Sequence, residues 1–255
     1  MSIEDAPATQ GAFAEAAPDR RRRGTLKFLR DVLVIVVIAV LVSFAVKTFL
    51  VRSFYIPSAS MEDTLMVQDR ILVDELTPRF SGYQRGDVVV FTDPGGWLDE
   101  QTTTTTTANP IQAAGDWALS LVGLSTSDSD DHLIKRIIGL PGDHVACCNA
   151  LGQITVNGVA IDETSYLLLP ETGAAASGIT FDVTVPDGEL WVLGDNRYSS
   201  KDSRYNQSQP GGGFVPISNV VGRAFLITWP FDRFGLIDFH HEVFASVPDP
   251  EDDSG

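Results

Sequence analysis

One run limits what this chain can fold into more than any other: Val32 to Val46, fifteen residues with neither a charge nor a proline. Apolar character resumes at Thr48 to Val51 after Lys47. The stretch from Val32 to Val51 would rise about 30 Å as a helix, enough for a bilayer core. Arg20, Arg21, Arg22, Arg23, Lys27 and Arg30 stand just before it. Positive residues beside a span are retained in the cytoplasm, so the flank predicts a cytoplasmic amino end and an extracytoplasmic remainder. A core helix needs no such flank. A cleaved secretory signal needs small residues after its apolar stretch, where this chain has KTFLVRSFYIP. The run therefore reads as an uncleaved signal anchor over residues 31–51, a single transmembrane helix in the lipid bilayer of the cell membrane. Residues 1–30, rich in Ala, Pro, Asp, Glu and Arg, read as a disordered cytoplasmic tail.

Charge follows the same division. The net charge is -16, yet residues 1–51 hold seven Lys/Arg against five Asp/Glu, while residues 52–255 hold eleven against twenty-nine. An acidic remainder without a basic face argues against nucleic acid as a partner.

From Ser53 onward, short β-branched and aromatic runs alternate with turn signals. Strands are expected at Arg70–Val73, Asp87–Phe91, Ile134–Ile138, Gln153–Val156, Val159–Ile161, Ile179–Val185, Leu190–Leu193 and Val220–Thr228. Asn157-Gly158 between two of them predicts a hairpin turn. The fold class is mainly β: a strand-rich domain over 52–245 with a smaller β-rich insertion at about 144–193, preceded by the one transmembrane helix. Within it, residues 92–131 read as a variable insertion containing six consecutive threonines, Thr102 to Thr107. There Ile111, Ala114, Trp117, Ala118, Leu121 and Leu124 recur near a helical period, predicting a short helix packed on the domain or lying in the outer leaflet. Residues 246–255 read as an acidic disordered tail.

Four segments carry candidate chemistry: Pro57-Ser58-Ala59-Ser60-Met61, Gly86 to Phe91, Lys135 to Asp143, and Gly194 to Arg204. A serine hydroxyl needs a base to become a nucleophile, and histidine is the usual one. The four histidines, His132, His144, His240 and His241, form no motif-like cluster with a serine. Lysine is the alternative. Beyond residue 51 there are two, Lys135 and Lys201, against nine arginines. Lys135 lies in the apolar context LIKRIIGL, where desolvation lowers an amine pKa toward the range of a general base. Lys201, between Ser200 and Asp202, is expected to stay charged. Each of these residues also has a plain structural use, as a turn serine or an edge-strand lysine.

Taken together and in this order after an anchor, the four segments resemble type I signal peptidases, membrane-bound Ser/Lys serine proteases of the peptidase S26 family. The resemblance covers roughly residues 30 to 245 apart from the insertion. It implies Ser60 as nucleophile, Lys135 as general base, and Ser58 with the Ser60 N–H as oxyanion donors. It further implies Ser200 as the hydroxyl that orients the amine, and supporting roles for Asp202, Arg204, Asp195, Asn196 and Arg197. Residues near Ile56 and Met61 would line shallow pockets for small side chains. The implied substrates are secreted precursor proteins bearing signal peptides. The chain departs from the family pattern at Glu62-Asp63, two carboxylates close to Ser60 that are expected to face solvent. No zinc spacing, phosphate loop or dinucleotide fingerprint occurs, so neither metal nor cofactor is expected. Adjacent Cys147 and Cys148 are open to a vicinal bond, free thiols or an intermolecular bridge. Two further readings remain, a self-cleaving Ser/Lys protease and a membrane-tethered binding protein.

Overall fold

A computed structural model describes residues 20–49, 51–98, 131–171 and 173–250. The expected helix around Trp117 and residues 251–255 of the expected tail lie outside the described residues; residues 246–250, expected to be disordered, instead pack on the domain, with Val247 buried in its core and the Pro248 carbonyl accepting from Arg85. The chain divides into an amino-terminal helical unit and a second unit from Val46 onward.

Helix α1 runs from Arg20 to Phe49 without a proline. It begins inside the segment expected to be unstructured, because Arg, Leu and Lys between residues 20 and 30 are good helix formers and only Gly24 opposes them. Its described apolar side chains, among them Phe28, Leu33, Ile35, Ile38 and Val42, are exposed. Among the described residues, no helix is long and apolar enough to cross a membrane. The helix side chains described extend only from Lys27 to Val40 and to Val42, whereas the expected span runs on to Val51. That span is also cut short at its far end. Val51 opens strand β1, Val51–Tyr55, which pairs antiparallel with β2, Arg70–Asp74. The alternation that starts there, with Phe54 and Ile56 buried and Tyr55 between them half-buried, suits a sheet better than a helix continuing into lipid.

The remaining strands are β3 (Val88–Thr92), β4 (His132–Gly139), β5 (His144–Cys147), β6 (Ile154–Val156), β7 (Val159–Ala160), β8 (Phe181–Thr184), β9 (Glu189–Leu193), β10 (Val215–Pro216), β11 (Val220–Trp229) and β12 (Gly235–Leu236). The fold is strand-rich and mainly β, as the run pattern predicts. The large sheet has the order β1-β2-β11-β3-β4-β9-β10, with β12 beside β11, and a second sheet has the order β7-β6-β5-β8. β9 belongs to the large sheet, so the smaller sheet ends at Thr184 and not near residue 193. The reason is burial: Leu190 to Leu193 are covered on both faces, as a strand between two others inside a core must be.

The same logic explains the uninterrupted Val88-Val89-Val90-Phe91. Val88 and Val90 enter one core cluster with Phe54, Ile71 and Ile134, while Val89 and Phe91 enter another with Ile137 and Val192. A third cluster joins the two sheets, with Trp191 between the rings of Phe181 and Phe214. At the β6–β7 hairpin, Asn157 (φ 51°) and Gly158 (φ 77°) take the left-handed geometry expected of them. Cys147 and Cys148 are joined to each other, a bond that closes no loop.

Candidate active site

Ser60 lies in a short 3-10 turn, Ala59–Met61, soon after β1. Ser58 occupies the N-cap position in extended geometry (φ -125°, ψ 155°) but makes no capping hydrogen bond. The ordinary use of a serine there is thus absent. Its Oγ lies 3.4 Å from Ser60 Oγ.

β4 brings Lys135 to this turn. Its Nζ donates to Ser60 Oγ at 2.7 Å and to the Ile134 carbonyl at 2.8 Å, and the residue is 3% exposed. Burial lowers the amine pKa from 10.5 to about 8; the charges of Asp202 and Asp195 pull it up, and Arg204 pushes it down. Consecutive strand residues face opposite ways, so Arg136 leaves Lys135 and reaches Asp195 instead, with bonds of 2.9 and 2.8 Å.

Three buried, two-pronged ion pairs surround the dyad. Besides Arg136–Asp195, Arg204 holds Asp202 at 2.8 and 2.7 Å. Arg197 holds Glu163 through Nη1 at 2.9 Å and through a second bond from Nη2 to Oε1. Such pairs are strong because both guanidinium donors are satisfied in one plane. Each of these carboxylates is claimed by an arginine, whereas the Lys135 amine donates to Ser60 Oγ and the Ile134 carbonyl. Asp195 also accepts from Thr64 Oγ1 at 2.6 Å, and Asp202 from the Gly194 N–H at 3.0 Å.

The loop from Gly194 to Arg204 closes on the nucleophile from the far side. The Asn196 N–H donates to the Ser60 carbonyl at 3.1 Å, and Asn196 Nδ2 to Glu62 Oε2 at 3.2 Å. Glu62 is thereby turned to Asn196 and Asp63 is exposed; neither is among the charges that act on Lys135. Gly194 has no room for a side chain, since a Cβ there would stand 2.2 Å from Ser200 Oγ and 2.4 Å from the Ser60 carbonyl oxygen.

Two expectations change. Ser200 is buried beside the dyad, but its hydroxyl makes no hydrogen bond, and the described bonds of the Lys135 amine go to Ser60 and Ile134. It packs against Gly194, which also meets the Ser60 carbonyl. Ile56 and Met61 are 2% and 0% exposed, sealed in the core with Phe54 and Leu65, and present no surface as pocket lining. Arg136 and Gly194 lie inside the candidate segments but had no role assigned from the sequence, and Thr64, Glu163 and Tyr166 lie outside those segments. Arg136 carried a signal, a second charge in an apolar strand. Lys201 is exposed, in keeping with a cation outside the site. Elsewhere, Asp238, His240 and Glu242 bring three possible metal-ligand atoms within 4.8 Å of one another, with both carboxylates exposed.

The family described as signal peptidase, peptidase S26, matches residues 29–229, a range that includes Ser60, Lys135 and the whole 194–204 loop. The chain belongs to this family. Among signal peptidases, the probable signal peptidase I of Mycobacterium leprae (strain TN) is 38% identical over 251 residues, covering 89% of this chain and 84% of that protein. Signal peptidase I of Mycobacterium tuberculosis is 36% identical over 247 residues, covering 90% and 82%. A solved signal peptidase I from Enterococcus faecalis is 25% identical and covers 55% of this chain and 95% of that one, with a TM-score of 0.33. The chain is a serine endopeptidase of the signal peptidase I type, as the four motifs imply.

Proposed function

We propose that this signal peptidase cleaves secreted precursors with Ser60 as nucleophile and Lys135 as general base, from a position anchored in the membrane. The observation that carries the reading is the 2.7 Å contact between Lys135 Nζ and Ser60 Oγ, made by an amine whose burial lowers its pKa to about 8. As Ser60 Oγ attacks the scissile carbonyl, its proton passes to Nζ; the ammonium returns it to the leaving amine. Water then attacks the acyl-enzyme, giving its proton to Nζ, and Ser60 regains one as it departs. Ser58 Oγ and the Ser60 N–H, in the first turn of a short helix where amides lack an intrahelical acceptor, supply donors for the tetrahedral oxyanion. Asp195, Asp202, Arg204, Asn196 and Arg197 hold the loop that backs the nucleophile, with Ser200 packed against Gly194.

A bilayer location accounts for two apolar surfaces. One is the set of exposed Val, Ile, Leu and Phe side chains on α1, preceded in sequence by Arg20 to Arg23, which argues for a cytoplasmic amino end. The other is the β11–β12 turn, where Trp229, Phe231, Phe234 and Leu236 are all exposed. Signal peptides carrying an apolar helix would meet the enzyme there, and the catalytic domain would stand on the extracytoplasmic side.

In a detergent assay on a precursor protein, Ser60→Ala and Lys135→Ala are each expected to abolish cleavage while leaving the circular dichroism spectrum unchanged. Turnover in either variant near the wild-type rate would sink the dyad.

A further inference from the structure

Two of the ion pairs, Arg204–Asp202 and Arg136–Asp195, join residues inside the four motifs; the third reaches outside them. Glu163 comes from the turn after β7, on the smaller sheet, and is 3% exposed. It accepts two bonds from Arg197 and one from the Tyr166 hydroxyl at 2.6 Å. What Arg197 does next links this distant turn to the chemistry. Its Nε donates to the Gly194 carbonyl at 3.0 Å, while the Gly194 N–H is held by Asp202. The Gly194 peptide is therefore gripped at both ends, at the one residue whose Cα packs against both the Ser60 carbonyl and Ser200 Oγ.

The same turn touches the site by two further routes. The Tyr166 ring lies under the Arg136 guanidinium, 4.2 Å from it, and Arg136 holds Asp195. The Leu168 N–H donates to the Asp195 carbonyl at 3.0 Å, and Leu168 bridges to Asn196, whose own N–H holds the Ser60 carbonyl. Residues 163–168 are thus bonded to residues 194–197 directly and to β4 through one ring.

We propose that Glu163 is a positioning residue of the peptidase reaction: through Arg197 it fixes the Gly194 peptide against Ser60, and this brace is what the smaller sheet contributes to catalysis. The inference rests on the Ser60–Lys135 reading. A carboxylate is needed because a buried guanidinium aimed at a peptide carbonyl must have its charge balanced nearby.

The test is steady-state cleavage of a precursor peptide by the full-length protein in detergent, across pH, with thermal unfolding of each variant. Glu163→Gln is expected to lower kcat at least tenfold with KM within twofold, and to leave the rising limb of the pH profile near pH 8, since neither Glu163 nor Arg197 is among the charges that act on Lys135. The pair Glu163→Leu with Arg197→Met replaces both charges by apolar groups. It is expected to melt within a few degrees of wild type yet stay at least tenfold slow, since no donor reaches the Gly194 carbonyl. Tyr166→Phe keeps the ring under Arg136 and removes only the hydroxyl bond; a loss of threefold or more in kcat is expected without a change in melting temperature. A kcat within twofold of wild type in Glu163→Gln, or recovery of kcat together with stability in the double variant, would make Glu163 a residue of the fold alone and overturn the proposal. Should both of those variants fail to fold, an unchanged kcat in Tyr166→Phe overturns it. Ser60→Ala and Lys135→Ala run alongside: if they cleave, the dyad reading fails, and if they are dead while Glu163→Gln is fully active, only this inference fails.

Discussion

The burial that suits Lys135 to the proposed role of base carries a cost to stability, and the sign of that cost can be worked out. Its folded pKa of about 8 lies below the unfolded value near 10.5. Below pH 8 both states carry the ammonium, and the folded one holds it buried. As pH rises past 8 the folded amine sheds its proton first, so stability climbs until the unfolded amine follows near 10.5. The full effect is about 3 kcal/mol. Relative to Lys135→Met, wild type is expected to gain roughly this much between pH 7 and pH 10.5, measured by urea unfolding at each pH. Activity has the same origin: kcat/KM rises through about pH 8 as the neutral base forms, and a flat profile there would remove Lys135 from that role. Ser58→Ala, which deletes an oxyanion donor, is expected to lower kcat by roughly 100-fold with little change in KM. The dyad was legible because lysine is scarce beyond the helix and one of the two sits among apolar residues. Glu163 was not, because its partner stands 34 residues away and nothing around it departs from an ordinary acidic turn.

Among the elements, β2, β3, β4, β9 and β11 were readable because each is a compact β-branched run. β1 was hidden by continuity: its Val51 extends an apolar stretch, and only the pairing with Asp74 separates strand from helix. β5 was missed because HVAC is short and polar at its start, and it becomes a strand through neighbours on both sides, β6 and β8. β9 shows how one strand serves two layers. Its Trp191 is fully buried between Phe181 of the smaller sheet and Phe214 of the loop before β10. Trp191→Ala is expected to cost about 3–5 kcal/mol by chemical denaturation. A loss below about 1 kcal/mol would mean that the two sheets are not held together there.

At the scale of the molecule, the segregated charge and the anchor-like run were plain in the sequence, whereas the second apolar surface was not. Trp229, Phe231, Phe234 and Leu236 are spread over a β-rich stretch with no sequence signal that sets them apart from core residues, and the fold exposes all four. Replacing all four by serine is expected to raise KM severalfold for a precursor presented in lipid vesicles, while cleavage of a short peptide in detergent is unchanged; equal effects on both substrates would argue against lipid contact. The order of the chain adds one more consequence. Lys135 and Arg136 are neighbours on a strand buried on both sides, and β3 pairs Val89 with Lys135. A slip of one residue would exchange their faces, presenting to Ser60 a guanidinium that never deprotonates. Lengthening the connection between β3 and β4 adds little closure entropy. Sequence between these strands can therefore vary freely in length, provided that the ladder keeps its phase: the identity of the base is set by strand alignment as much as by the lysine itself.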